Sequence, residues 1–185
     1  MAPGSEMARM EQFMAGRARW VYETGLLGCL AGAVGGVAEV LWVSLYGAAT
    51  GADTAEVARS ISTVIGTVLP MAPWLDMPVV FGLMSHMLAS AAIAVALVFL
   101  WHVRSIRAAV GDNEYTFLVA ALAVIWAFNF FVLLPAIGPY FADVQRSFTE
   151  ILPYPVSLFS KLLFGLSAAA VMRRAAADRL ALARA

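Results

Sequence analysis

The fold class that this sequence predicts is an all-α membrane protein, a bundle of four transmembrane helices. Three observations carry the prediction. The chain of 185 residues is 62% hydrophobic and only 13% charged, whereas a domain facing water on all sides carries about 25% charged residues. The charges are clustered, leaving four long stretches almost free of them. Each stretch matches the ~20 residues that a helix needs to cross ~30 Å of hydrocarbon.

The first predicted span covers residues 25–49 and is interrupted only by Glu39. The second covers 78–101 and contains His86; the third, 116–140, holds no charge; the fourth, 154–172, contains Lys161. A membrane β-barrel does not fit, because its strands alternate in polarity over about 10 residues and these runs do not. Ahead of the first span, Glu6 and Glu11 are acidic. The apolar run that follows exceeds the ~7–15 residues of a signal-peptide core, so it reads as a retained membrane helix. Between Ser5 and Arg19, the spacing of Met7, Met10, Phe13 and Met14 predicts a short amphipathic helix on the membrane surface.

Arginine sets the expected orientation. Arg9, Arg17 and Arg19 precede the first span, Arg104 and Arg107 lie between the second and third, and Arg173, Arg174, Arg179 and Arg184 follow the fourth. Only Arg59 and Arg146 fall on the other side. Basic residues accumulate on the cytoplasmic face, so both termini are expected inside, with the inner membrane of a bacterium as the expected location. Trp20, Tyr22, Trp101 and Tyr115 then fall at the inner interface, and Tyr46, Trp74, Tyr140 and Tyr154 at the outer one.

The two halves of the chain share a pattern. The first outer loop reads Ala55-Glu56-Val57-Ala58-Arg59-Ser60 and the second Ala142-Asp143-Val144-Gln145-Arg146-Ser147. Each is followed by Leu-Pro, at Leu69-Pro70 and Leu152-Pro153, then by Pro-Val opening a span, at Pro78-Val79 and Pro155-Val156. Proline suits a first helical turn, where its missing N–H costs nothing. Ser85-His86-Met87-Leu88 and Ser160-Lys161-Leu162-Leu163 follow. The expected organisation is therefore two parallel two-helix repeats, 25–101 and 116–172. A cytoplasmic tail (1–24), a cytoplasmic loop (102–115) and a basic tail (173–185) flank them, and a pseudo-two-fold axis lies along the membrane normal. The outer segment 54–69 places Val57, Ile61, Val64, Ile65 and Val68 on one helical face, predicting an amphipathic helix at the outer interface.

Glu39, His86, Asn129 and Lys161 each occupy a different span. Counted from the outer ends, all four fall roughly 10–16 Å deep, which points to one polar cluster on the bundle axis. Gly28, Gly32 and Gly36 form a small-residue row leading to Glu39, a seam along which helices approach closely. His86 shares a face with Gly82, Ala89 and Ser90, and Lys161 with Ser157, Gly165 and Ala168. Glu39 and Lys161 form the natural ion pair, with His86 and Asn129 supplying hydrogen bonds. Pro135 is placed to kink the third span and to release backbone carbonyls near Asn129. Trp126 reads as core packing.

Other chemistries find no support. Net charge is zero, so there is no basic footprint for nucleic acid. Cys29 is the sole cysteine, which excludes an internal disulfide and a CxxC site. Met84 and Met87 share a face that His86 does not, which argues against copper, and His86 and His102 lie ~24 Å apart on one helix, which argues against haem. No catalytic motif, metal site or cofactor is expected. The expectation is a non-enzymatic membrane protein. It is either a small transport or ion-handling unit built on the polar cluster, or an accessory subunit of a larger membrane complex in which that cluster locks helix packing. The expected partners are lipid and either a second copy of the chain or another membrane subunit.

The arginine asymmetry makes a direct prediction. Reporter fusions after Val110 and after Ala185 give a cytoplasmic signal, and a fusion after Thr54 gives an external one. A cytoplasmic signal at Thr54 overturns the four-span arrangement.

Overall fold

The computed structural model describes the backbone of residues 3–68, 76–141, 147–182 and 184, and the side chains of 13–66, 76–141, 148–182 and 184. All regular structure among these residues is helical. Four helices are long and apolar enough to cross a membrane: Phe13–Thr50, Pro78–Trp101, Glu114–Ile137 and Tyr154–Leu182.

Helix α1 runs without interruption from Pro3 to Thr50, 48 residues, or about 72 Å at 1.5 Å per residue. The surface helix expected over 5–19 is therefore not a separate element; it is the first part of α1. No proline follows Pro3 in this stretch. A glycine such as Gly16 or Gly25 costs a helix only about 1 kcal/mol, less than abandoning backbone hydrogen bonds at a break. The helix stops at Gly51, whose φ of +75° favours glycine.

Along α1 the buried positions among the described side chains are Thr24, Gly28, Ala31, Gly32, Gly35, Gly36, Glu39 and Gly47, which fall along one stripe of the helix. The opposite stripe of Leu26, Leu30, Val34, Val37, Leu41 and Leu45 is exposed, as suits a side turned toward lipid. The buried stripe meets two helices. A Cβ at Gly28 would lie 2.5 Å from Val95 Cα, and one at Gly32 2.6 Å from Ala91 Cα. Helix α1 thus rests backbone to backbone on the third helix. Gly35 instead faces the Phe164 ring, and a Cβ there would lie 2.9 Å from it.

Helix α2 (Ala55–Val68) lies across one end of the bundle against α3 (Pro78–Trp101). The contact is close: a Cβ at Gly82 would land 2.0 Å from the Ala58 carbonyl oxygen. Ser62 Oγ also reaches the carbonyls of Ala58 and Pro78, the first of these at 3.2 Å. Short α4 (Arg104–Val110) turns the chain into α5 (Glu114–Phe128). Asn113 caps α5 by accepting from the backbone N–H groups of Tyr115 and Thr116, at 3.0 and 3.2 Å. Beyond α5 the helix widens into a π-turn over Asn129–Leu133 and resumes as α6 (Leu134–Ile137). A second π-turn covers Ser147–Ile151, and α7 (Tyr154–Leu182) closes the bundle.

Helix α1 packs along both α3 and α7, α5 packs along α7, and α3 and α5 meet only slightly. A two-fold relation between the halves would pair the α1–α7 contact with an equal α3–α5 contact, and the two are unequal. Arg146, Leu69-Pro70 and Trp74 lie outside the described residues, so the second copy of the arginine motif has no structural counterpart to compare.

The last helix is tied back to α1 and α5 near its end: Arg179 pairs with Glu23 at 3.5 Å, and the Arg173 guanidinium stands 5.8 Å from the Tyr115 ring centre. An apolar core fills the half of the bundle nearest these contacts. Ala31, Leu97, Val98, Leu118, Leu122, Phe164 and Ala169 belong to it. The close α1–α3 approach gives a prediction. Gly32→Leu drives a side chain into the α3 backbone and lowers stability by about 1–3 kcal/mol or more. Gly25→Leu, with open space around it, leaves stability unchanged or raises it by up to about 1 kcal/mol. Thermal unfolding of both variants in detergent checks the contrast.

Candidate functional site

Glu39 lies eleven residues before the end of α1, on the stripe that faces α3 and α7. It is 6% exposed. A carboxylate so far from water needs compensation, and α7 provides it. Lys161 Nζ is in direct contact with Glu39 Oε1. The Ser160 hydroxyl lies 3.1 Å from the same oxygen and 2.7 Å from the Ser157 carbonyl, so its one proton is shared between two acceptors. Consecutive residues reach one carboxylate because the Lys161 stem is long and Ser160 lies directly on the α1–α7 seam.

The second carboxylate oxygen is differently placed. Oε2 is buried and has no hydrogen-bond partner among the described residues. His86 of α3 approaches it with Nε2 at 3.8 Å, and this nitrogen is also buried and unpartnered. His86 reaches this depth because Gly36 and Ser90 keep α1 and α3 close: a Cβ at Gly36 would lie 3.1 Å from Ser90 Cβ.

A cavity of about 450 Å³ opens beside these groups, within the ~300–1,000 Å³ usual for small-ligand sites. Glu39, His86, Asn129, Ser157, Ser160 and Lys161 line its polar side. Val57, Ile61 and Ile65 of α2, Leu133 and Leu134 beside the first π-turn, and Phe148 form apolar walls. The cavity therefore extends from Glu39 toward the α2 end. The apolar face of α2 is turned onto this space and onto α3. Toward the chain termini, the packed apolar core lies beneath it.

Asn129 stands at the start of the π-turn. Its own carbonyl accepts from the Leu134 N–H, five residues on. Pro135 follows in the first turn of α6. The helix widens for one turn just ahead of this missing N–H, a device that recurs at functional sites. Among the described hydrogen bonds none joins Asn129 to the Glu39 carboxylate.

Trp126 was read as packing, but it also works as a donor: its Nε1 hydrogen-bonds Ser157 Oγ at 2.9 Å. Trp42 does likewise toward the Val156 carbonyl at 3.1 Å. Two indoles thus pin the first turn of α7, one from α5 and one from α1. The signal available in sequence was that a tryptophan within an apolar span needs a partner for its N–H. Arg59 is not part of the cavity. It donates to Glu56 Oε2 at 2.6 Å and also contacts Asp53. Glu56 first and Asp53 second raise the pKa of its guanidinium above the ordinary value.

Among the described residues no three His, Cys, Asp or Glu side chains come together as a metal site would require. No family model, no curated protein and no solved structure matches this chain. Its chemistry must be read from the site alone.

The ion pair gives a coupling prediction. Glu39→Gln leaves the Lys161 ammonium without its counter-charge and destabilises the bundle. The loss lies toward the low end of the about 3–5 kcal/mol typical of a fully buried pair, because the lysine can turn outward. Glu39→Gln combined with Lys161→Met removes both charges and recovers much of the loss. Unfolding of the two single variants and the double variant measures the coupling; additive losses would show that the pair contributes nothing jointly.

Proposed function

We propose that this chain is a non-enzymatic integral membrane protein of the transport or ion-handling kind, whose working part is the Glu39 cluster at the base of the cavity. The supporting observation is the division of labour on one carboxylate. Oε1 is held by Lys161 and Ser160, while Oε2 faces His86 with no partner, beside a cavity of ligand size. A purely structural ion pair gains from satisfying every buried polar atom. A pair with a free oxygen and a free ring nitrogen beside an open volume is arranged to receive something. In this reading the α2 end faces the outside, the termini face the cytoplasm, and a solute or ion enters from the α2 end. The apolar core toward the termini closes the far side, so passage across the membrane requires the helices to rearrange.

The halves are read as a diverged duplication. His86 and Lys161, which occupy matching places in the repeated pattern, both reach Glu39 from different helices. The unequal helix contacts mark how far the halves have parted. The second reading, an accessory subunit in which the cluster is a packing lock, is favoured by the use of Oε1, since Lys161 and Ser160 tie α1 to α7.

Cysteine accessibility separates the two. In a Cys29→Ser background, Ser157→Cys lines the cavity and reacts with a charged, membrane-impermeant thiosulfonate added to the α2 side. Ala169→Cys, in the apolar core with 0% exposure, does not react. Failure of Ser157→Cys to react from either side makes the cluster a dry lock and removes the handling function.

A further inference from the structure

The Glu39 cavity selects a ligand by charge and by shape together, and the argument rests on reading that cavity as a binding site. The ion pair is internally neutral. With Oε1 taken by Lys161 and Ser160, two buried side-chain atoms lack a partner among the described residues: Glu39 Oε2 and His86 Nε2, 3.8 Å apart. That separation exceeds a hydrogen bond; a single atom about 2.8 Å from each bridges them only once the two side chains, closed over these atoms in the structure, part to admit it.

The carboxylate can only accept. The ring nitrogen either donates or accepts, depending on its tautomer. A carboxylate opposite Nε2 favours the tautomer with the proton on that nitrogen. The bridging group must then donate one hydrogen bond and accept another through the same atom. A hydroxyl does both. With the proton on Nδ1 instead, the bridge would need two donors, as in a primary amine. An ammonium there would lie close to the Lys161 ammonium, which already contacts the same carboxylate, and like charges oppose its entry.

The rest of the cavity sets the body of the ligand. Val57, Ile61, Ile65, Leu133 and Phe148 make most of its wall apolar, with Ser44 and Thr54 as uncharged polar side chains in the lining. About 450 Å³ holds roughly 15 non-hydrogen atoms at ~30 Å³ each. We infer that the site binds a neutral alcohol: one hydroxyl seated between Glu39 Oε2 and His86 Nε2, and a hydrocarbon body of roughly ten to fifteen atoms lying along the inner face of α2.

The test uses the full chain in phosphatidylcholine nanodiscs, with 1-decanol, decane and decylamine as probes and thermal unfolding as the readout. Decanol is expected to raise the midpoint saturably by roughly 5 °C, while decane and decylamine do not. His86→Phe keeps the ring volume and the ion pair but removes one half of the bridge, and it weakens decanol at least tenfold. Hexanol and hexadecanol distinguish a solute arriving from water from a lipid. Saturation of the effect at decanol marks an enclosed ligand, and continued tightening to hexadecanol marks a chain that stays in the bilayer; both keep the hydroxyl seat. Equal shifts in the wild type and His86→Phe, or equal shifts by decane and decanol, overturn the proposal. A stronger response to decylamine that His86→Phe abolishes overturns the alcohol and leaves the cavity as a site. No response to any probe overturns the ligand class alone if Ser157→Cys reacts from the α2 side. If that cysteine is also unreactive, the cavity reading falls with it.

Discussion

A single carboxylate in an apolar bundle constrains the arrangement of everything around it. Withdrawing a charge from water costs several kcal/mol even after relaxation, and Glu39 cannot reach the end of α1 from its position. The surrounding helices therefore have to bring polar groups to it. Helix α7 brings Lys161 and Ser160. Helix α3 brings His86, at a distance set by the closeness of α1 and α3. The glycines of α1 are part of the same requirement, since a side chain at Gly32 would push α3 away and carry the imidazole with it. Helix packing and polar chemistry are thus one problem solved at one depth.

The bundle is uneven along its length for a related reason. Near the termini, leucine, valine, phenylalanine and alanine interlock with few polar groups among them, Thr24 and the Trp101 indole being buried there. Near α2, the polar floor, the π-turn after Asn129 and the serines of α7 keep the helices from closing in the same way, and the volume left over is the cavity. The first turn of α7 stays in place beside that volume because Trp42 and Trp126 hold it from two sides.

The four apolar helices were legible from length and hydropathy, because the thickness of hydrocarbon leaves little freedom in either. The grouping of Glu39, His86, Asn129 and Lys161 in one reading came from counting depth along rigid helices, a one-dimensional argument that survives ignorance of how the helices turn. The same four residues line one cavity. Whatever depended on rotation or on backbone register was not legible. The spacing of Met7, Met10, Phe13 and Met14 suggested a separate surface helix, yet periodicity says nothing about where a helix begins when no breaker intervenes. Pro135 announced a disturbance, but proline marks only a missing N–H, which does not say that the helix widens for a turn just ahead of it. The repeated arginine pattern carried no information about which helices would pair, and the unequal contacts of α3 and α5 follow from side-chain fit, which a short motif does not encode.

The unbroken course of α1 has a mechanical consequence. From Glu39 back to Pro3 the helix is a rod of about 54 Å, anchored to the bundle on one side as far as Trp20, whose ring packs on Phe99 and His102, and attached to the last helix through Glu23 and Arg179. From Trp20 outward, about 26 Å of it projects beyond the core. A rod has no joint at which to absorb rotation, so a change of about 10° in the tilt of α1 displaces its far tip by about 4 Å relative to Trp20. Any shift at the carboxylate large enough to tilt this helix is therefore written, enlarged, onto the far end of the same piece of backbone.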